Sequence, residues 1–426
     1  LGISEHSVSK NCGEILDFVV RNAKIVGEAK LTDIGIKGDK IAEIGKIKAK
    51  ARKEIDAKGM LISPAFIDPH IHLDKCMIGD NIRPNVSGTL QEAIEIIWEK
   101  KRKYTVADVV KRAGEVIKLA TLNGTTRMRT HADVDTIGGL TPIKGLLAVR
   151  EKFKNIMDIQ IVAFPQEGIL RDPGTEELMR KAMELGANLV GGMPHHERPY
   201  SEARPHIDIC FEIAKEFDAD IDMHVDETDD PNSRSLEYLA EKTVKENYQG
   251  RVTAGHTCAL AAYPDEYAKK VIQKVKLADI NMITNPVTNL VIQGRNDKQP
   301  IRRGITRVKE LLAAGVNVTF GQDCVNDAFY PFGKADMLEV ANISAHAAQL
   351  TMPDEIETVF EMMTTNAART LGVLDDYGIA IGKRANLVII DASSPKDAIR
   401  RQPDRRWVIK GGKMIAENTS NRKLKA

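Results

Sequence analysis

Residues 66–75 read Phe66-Ile67-Asp68-Pro69-His70-Ile71-His72-Leu73-Asp74-Lys75. Two histidines lie two positions apart in a run with the apolar residues Phe66, Ile67, Ile71 and Leu73. On a strand, residues two apart share a face, so both imidazoles point the same way. Two neutral imidazoles on one face make half of a first-row metal site. A His-x-His pair alone is common, and a hydrogen-bonded core histidine is the ordinary alternative for each member. The rest of the chain weighs against that alternative.

Working outward, His224 ends the alternating segment Asp220-Ile-Asp-Met-His, and His256 follows the β-like run Arg251-Val-Thr-Ala-Gly. Asp323 follows Val316-Asn-Val-Thr-Phe-Gly-Gln. Each polar residue stands where an apolar strand stops. In a β/α barrel that end of the strands is where chemistry collects. Three histidines and one aspartate supply the nitrogen and oxygen ligands of a hydrolytic metal, with a position left for water.

The spacing between these segments agrees with a barrel. Helical periodicity is read over Leu90–Lys101, Val106–Ala120, Thr175–Leu185, Ile207–Phe217, Ser235–Glu246 and Val308–Ala314. Strands are read over Thr125–His131, Ile159–Phe164, Ala187–Met193, Ile221–His224, Ile280–Thr284 and Val316–Phe320. Alternation at these lengths predicts parallel βα units. Both ends differ in texture. Residues 14–65 and the segments from Ala385 and Trp407 are short period-2 runs broken by Gly and Asp, which predict antiparallel β structure.

Composition narrows the function. A chain of 426 residues exceeds one average domain, although a barrel of about 250 residues forms a single one. The net charge of +1 comes without a basic block, which gives no reason to propose nucleic acid. No apolar run reaches about 18 residues, so no transmembrane helix is expected. Residues 1–6 lack the basic-then-apolar layout of a signal peptide, and the absent initiating Met is read as a trimmed or processed end. Five cysteines, an odd number, predict a reducing cytoplasm rather than a disulfide framework. Cys12, Cys210 and Cys258 are read as packing or surface residues, and Cys76 as filler near the site.

Over nearly its whole length the chain resembles the amidohydrolase superfamily, in its cytosine deaminase-like branch. The resemblance rests on 66–74 (FIDPHIHLD), 129–134 (RTHADV), 160–169 (QIVAFPQEGI), 222–230 (DMHVDETDD), 253–257 (TAGHT) and 285–295 (NPVTNLVIQGR). It continues at 302–310 (RRGITRVKE), 321–323 (GQD) and 368–378 (ARTLGVLDDYG). It implies a (β/α)8 TIM-like barrel over 66–375 and a small β-sandwich domain built from both chain ends, 1–65 and 376–426.

The resemblance also implies one divalent transition metal, zinc or iron(II) with manganese(II) compatible, on His70, His72, His224 and Asp323. Such an ion lowers the pKa of water from ~15.7 toward ~7. Asp323 would take a proton from that water while touching the metal, and His256 would hold the water without ligating. Glu227, three residues after His224, would protonate the ring nitrogen beside the carbon under attack, a step worth ~10²–10⁴ in rate. Its alternative is one more surface acid in the run 226–230. Gln166 would read the heterocycle, since a carboxamide donates and accepts. Glu167 is read as structural. Phe329 would form an aromatic wall and Leu90 would cover the site.

Three departures qualify this. Two-metal members usually carry a carboxylated lysine after the fourth strand, and the segment 187–197 has none. This favours a mononuclear deaminase over a ring-opening hydrolase, with His195 and His196 as loop or pocket-wall residues. Cys324 stands where cytosine deaminase has a second acid, which removes a charge and opens space. Gln322 replaces a histidine of the relatives. The reading is therefore a metal-dependent hydrolase that deaminates a small aminated heterocycle, cytosine or a 5-substituted cytosine first. Isocytosine, a pterin, creatinine and an N-alkylamino triazine are the alternatives within the class. Cyclic amide ring opening and an inactive assembly-forming relative are the alternatives outside it, the latter disfavoured by retention of all four ligands and Glu227. A homo-oligomer is expected, with no membrane or nucleic-acid partner.

Overall fold

The computed structural model describes residues 15–420 and 423–425, so Cys12 and the N-terminal segment lie outside the described residues. Eight strands form one all-parallel sheet in chain order: Phe66–Ile71, Thr125–Asp133, Asp158–Phe164, Leu189–Gly192, Asp220–Val225, Val252–His256, Asn281–Thr284 and Val318–Phe320. The first and last meet at their C-terminal ends. The His72 N–H donates to the Asp323 carbonyl and the Asp323 N–H donates to the His70 carbonyl, both at 2.8 Å. Those two bonds close the sheet into a (β/α)8 barrel at the end where the candidate ligands lie.

Buried parallel strands must be apolar on both faces. Every residue of Phe66–Ile71, Thr125–Asp133 and Val252–His256 is buried. Among the polar members of Thr125–Asp133, Arg129 is paired inside the barrel. Arg129 donates to Asp222 at 2.8 Å and to Gln160 at 3.0 Å, across three strands. Small residues permit close approach near the site. A Cβ on Gly321 would stand 2.5 Å from the His70 carbonyl oxygen and 2.6 Å from its Cβ, so only glycine lets the two strand ends touch.

Helix Leu90–Lys101 lies between the first two strands. The Thr89 hydroxyl accepts from the Glu92 N–H at 3.2 Å, while the Glu92 carboxylate accepts from the Ser87 N–H at 2.6 Å. Such capping is worth about 1 kcal/mol and fixes where the helix begins. Leu90 is thereby held as its first residue.

The two chain ends form one mixed eight-stranded sheet. Its order runs Lys413–Glu417, Arg405–Lys410, Leu387–Ile390, Leu61–Pro64, Leu16–Ile25, Leu31–Lys37 and Lys40–Gly45, with Ala51–Asp56 also on Leu16–Ile25. The hairpin 405–417 turns on Gly411 and Gly412, both at positive φ, as a two-residue turn requires. Phe18, Val20, Ile34, Ile36, Ile62, Leu387, Ile389 and Ile409 form its core.

The expectation of antiparallel structure needs one correction. Leu16–Ile25 pairs antiparallel with Leu31–Lys37 but parallel with both Ala51–Asp56 and Leu61–Pro64. Period-2 alternation is the same for either direction of a neighbour, so it carries no information about strand polarity.

Candidate active site

The strand ends converge on a small cavity lined by His72, Lys75, Leu90, Gln166, His224, Glu227, His256, Thr288, Asp323, Cys324 and Phe329. All the site residues read from the sequence line it except His70, which lies behind it with Nε2 3.5 Å from Asp323 Oδ1. His72 Nε2 is 3.4 Å from the same oxygen and 3.0 Å from His224 Nε2. Two donors ~2.0–2.1 Å from one ion, at angles of about 90–110°, stand roughly 2.8–3.4 Å apart. The 3.0 and 3.4 Å spacings fall within that range and the 3.5 Å spacing just beyond it.

The donor set suits a cation in other ways. His70 Nε2 and Asp323 Oδ2 are buried without a hydrogen-bond partner, as are His72 Nδ1 and His224 Nδ1. Burial, then Lys75 and the neighbouring imidazoles, drives the His72 pKa well below the usual histidine range. Burial and His256 do the same to His224, so both rings are in the neutral form that binds metal. Burial opposes ionisation of Asp323, but His256 and His70 outweigh it and hold its carboxyl at about 2. The residues present therefore fit a divalent ion.

His256 also belongs to a compact cluster with His70, His224 and Asp323, one donor atom of each lying within 4.8 Å of the others. Its nitrogens already have partners, however. Nδ1 is 3.0 Å from Glu227 Oε1 and Nε2 is 3.1 Å from Asn285 Nδ2. Burial lowers its pKa, yet Glu227 and Asp323 raise it more, up to about 9. His256 and Asp323 both sit at positive φ, 65° and 63°, where non-glycine backbone is strained. Strain of this kind collects where structure is held for function.

Glu227 Oε1 also accepts from Asn289 Nδ2 at 3.0 Å. Burial pushes the Cys324 thiol far up, so it lines the cavity uncharged. Glu167 accepts from Lys101 at 3.2 Å, in keeping with a structural role. His195 and His196 lie on the turn Pro194–His196 and line a wider outer cavity that shares Leu90 and Glu227 with the inner one. His196 Nε2 is 3.0 Å from an Arg171 nitrogen, whereas neither nitrogen of His195 has a hydrogen-bond partner.

Sequence reasoning missed several residues here. Lys75 lies inside the opening motif, and its ammonium donates to Asp133 at 2.7 Å and Gln166 at 2.9 Å. His131 packs on His70 with ring centroids 4.2 Å apart, and Phe164 stacks on His224 at 4.1 Å. Asn285 and Asn289 grip His256 and Glu227 from one face of Pro286–Ile292 and its cap. Their i, i+4 spacing around a Pro at the first helical position was the signal available.

A barrel with a small split β domain and a histidine–aspartate cluster at its C-terminal strand ends defines a class of hydrolases. Residues 53–416 match the model of the amidohydrolase family, and the chain belongs to that family. Its structure is similar to that of 5-methylcytosine deaminase from Klebsiella pneumoniae liganded with 5-fluorocytosine. The two are 36% identical, with TM-score 0.92, over 96% of this chain and 99% of that one. In sequence it is 34% identical over 411 residues to N-isopropylammelide isopropyl amidohydrolase of Pseudomonas sp. (strain ADP), covering 94% of this chain and 98% of that protein. It is 31% identical over 394 residues to pterin deaminase of Rhizobium rhizogenes, covering 92% and 87%. The protein is a hydrolase acting on C–N bonds, of the deaminase and amidohydrolase kind. Members of the family typically depend on a divalent metal. No helix among the described residues is long and apolar enough to cross a membrane.

Proposed function

We propose that the chain hydrolytically deaminates a small aminated heterocycle, with a 5-substituted cytosine as the favoured substrate. The observation that carries this reading is the Glu227–His256 contact of 3.0 Å, in the wall of a buried cavity that also presents Gln166 and the thiol of Cys324. In this reading His70, His72, His224 and Asp323 would hold the metal, zinc or iron(II) with manganese(II) compatible. When bound, such an ion activates water and polarises the carbon under attack.

The remaining steps belong to the protein's own groups. His256, held at Nδ1 by Glu227, orients the attacking water through Nε2 in place of the Asn285 contact. Asp323 turns Oδ1 toward His70 and His72, and its unpartnered Oδ2 takes the water's proton. Glu227 delivers a proton to the ring nitrogen next to the attacked carbon. The proton on Asp323 passes to the exocyclic amine, which leaves as ammonia, while the remaining hydroxyl proton returns to Glu227 as the ring carbonyl forms. Phe329 flanks the flat ring and Leu90 covers it.

A second reading is supported by the likeness to the Pseudomonas enzyme over 98% of that protein. It is further supported by the outer cavity at Glu227, which offers room for an N-alkyl group on the leaving amine. Metal-quantified enzyme assayed with cytosine, 5-methylcytosine, pterin and N-isopropylammelide separates the two. Ammonia from 5-methylcytosine supports the first reading, and isopropylamine as the preferred product replaces it with the second. Inactivity on all four overturns both.

A further inference from the structure

The cavity wall contains an ammonium with one donor left over. Lys75 is about 1% exposed, and its Nζ gives one hydrogen to Asp133 Oδ1 and one to Gln166 Oε1. An ammonium has three hydrogens and no acceptor. Among the described residues no protein atom takes the third. Phe164 and Phe329 flank this nitrogen, with ring centroids 5.7 and 5.6 Å away. A buried charged donor of this kind demands an acceptor, and the cavity is where one can come from.

The position of this ammonium is set from outside the cavity. Asp133 spends one oxygen on Lys75 and the other on Lys101, whose Nζ donates to Asp133 Oδ2 at 2.9 Å. Lys101 also donates to Asp135 at 2.5 Å and Glu167 at 3.2 Å, and its side chain is fully buried. It is the last residue of the helix whose first residue, Leu90, lines the cavity. The hydrogen bonds therefore run Lys101, Asp133, Lys75, Gln166, from the far end of the covering helix to the substrate wall.

We infer that Lys101 is a positioning residue: it aims Lys75 and Gln166, so that this wall accepts aminated heterocycles carrying a ring carbonyl and rejects those without one. The inference rests on the deaminase reading for its substrate and on the hydrogen-bond geometry for its mechanism. Gln166 Oε1 is held by Lys75, and its amide nitrogen reaches only the weak acceptor Met193 Sδ, at 3.2 Å. Both side chains thus have a donor to offer the ring. A carbonyl oxygen between them satisfies both, whereas a C–H at that ring position leaves the ammonium's third hydrogen unmet. Sites built around a hydrogen bond discriminate strongly against analogues that lack it.

The test uses the metal-loaded enzyme with cytosine and 4-aminopyrimidine, which differ by the carbonyl. The comparison variant is Lys101→Met/Asp135→Asn, which removes one cation and one anion together and so leaves the net buried charge unchanged. Lys101→Arg is the conservative control. In the native chain cytosine should be preferred in kcat/KM by roughly 100-fold or more. That preference should fall at least ~10-fold in the double variant, through KM for cytosine rather than kcat, and recover in Lys101→Arg. A crystal structure of the double variant should show Lys75 or Gln166 turned from its native partner. An unchanged preference with Lys75 and Gln166 in place overturns the inference. If the native chain turns over neither compound, cytosine is not a substrate of the proposed deaminase. The variant's crystal structure then decides the positioning role alone: it fails if the Lys75–Gln166 contact survives.

Discussion

Replacing Glu227 by Gln removes the acid while keeping its shape, and takes away the charge that helps raise the His256 pKa. Oε1 of Glu227 is committed to Asn289 Nδ2 and His256 Nδ1, each at 3.0 Å, and Oε2 makes no hydrogen bond among the described residues. Glutamine keeps its oxygen on Asn289 and His256 and puts an amide where the acid was. The fold and the metal should survive, because Glu227 lies outside the cluster His70, His224, His256 and Asp323. What is lost is proton delivery to the ring. A positioned acid is worth ~10²–10⁴ in rate, which at 1.36 kcal/mol per decade is about 3–5 kcal/mol of barrier. The assay is amine release at saturating substrate, with metal content measured on the same sample. A kcat reduced at least ~10²-fold with metal unchanged is the expected result. Turnover within about threefold of native would refute the reasoning and return Glu227 to an ordinary acid. Loss of metal would make it a ligand instead.

Elemental analysis should give about one transition metal per chain and near none in His70→Ala/His72→Ala; stoichiometric metal in that variant removes the assignment. Cys324→Asp places a carboxylate beside Asp323 and Asp327 and should shift kcat/KM from 5-methylcytosine toward cytosine by about 10–200-fold, whereas an unmoved ratio makes Cys324 mere filler. Gly321→Ala forces its Cβ to 2.5 Å from the His70 carbonyl oxygen, so metal content and activity should fall, with about 1–3 kcal/mol of stability lost; a native metal content argues against that close approach. Burial pushes the Asp327 carboxyl up to about 7, well above its unfolded value of ~3.9. The folded state therefore holds the extra proton, and stability should fall as pH rises from about 4 to 7, by at most about 4 kcal/mol. Asp327→Asn keeps the acceptor for the Phe329 and Tyr330 N–H groups and should flatten that slope in denaturant titrations, while parallel curves for the two proteins would exclude this origin.

Much of the barrel was legible because buried parallel strands and amphipathic helices have different periods. The helix read over Leu90–Lys101 is present with those bounds, and Thr175–Leu185 differs by one residue at its end. Helices Thr141–Phe153, Asp265–Leu277 and Met337–Ala347 were not read, although each is a full helix in the fold. The last is rich in alanine and buried on several sides, which blurs the polar face that periodicity depends on. Polarity within the small domain was not legible either, since alternation looks the same beside a parallel or an antiparallel neighbour.

The sequence alone determined which side chains stand at strand ends: His70, His72, His224, His256 and Asp323 each follow an apolar run, and local periodicity records that. Their meeting was decided by the closure of the barrel, where Asp323 pairs with His70 and His72 across nearly the whole length of the barrel sequence. Tertiary structure also decided the supporting set. Lys75 and Lys101 look like any charged residues in one dimension. Only burial, which removes water and leaves carboxylate and carboxamide oxygens as their partners, turns them into a fixed network with Gln166. Periodicity reports which face of an element is apolar, but which charges come together in the low-dielectric interior depends on contacts between distant parts of the chain.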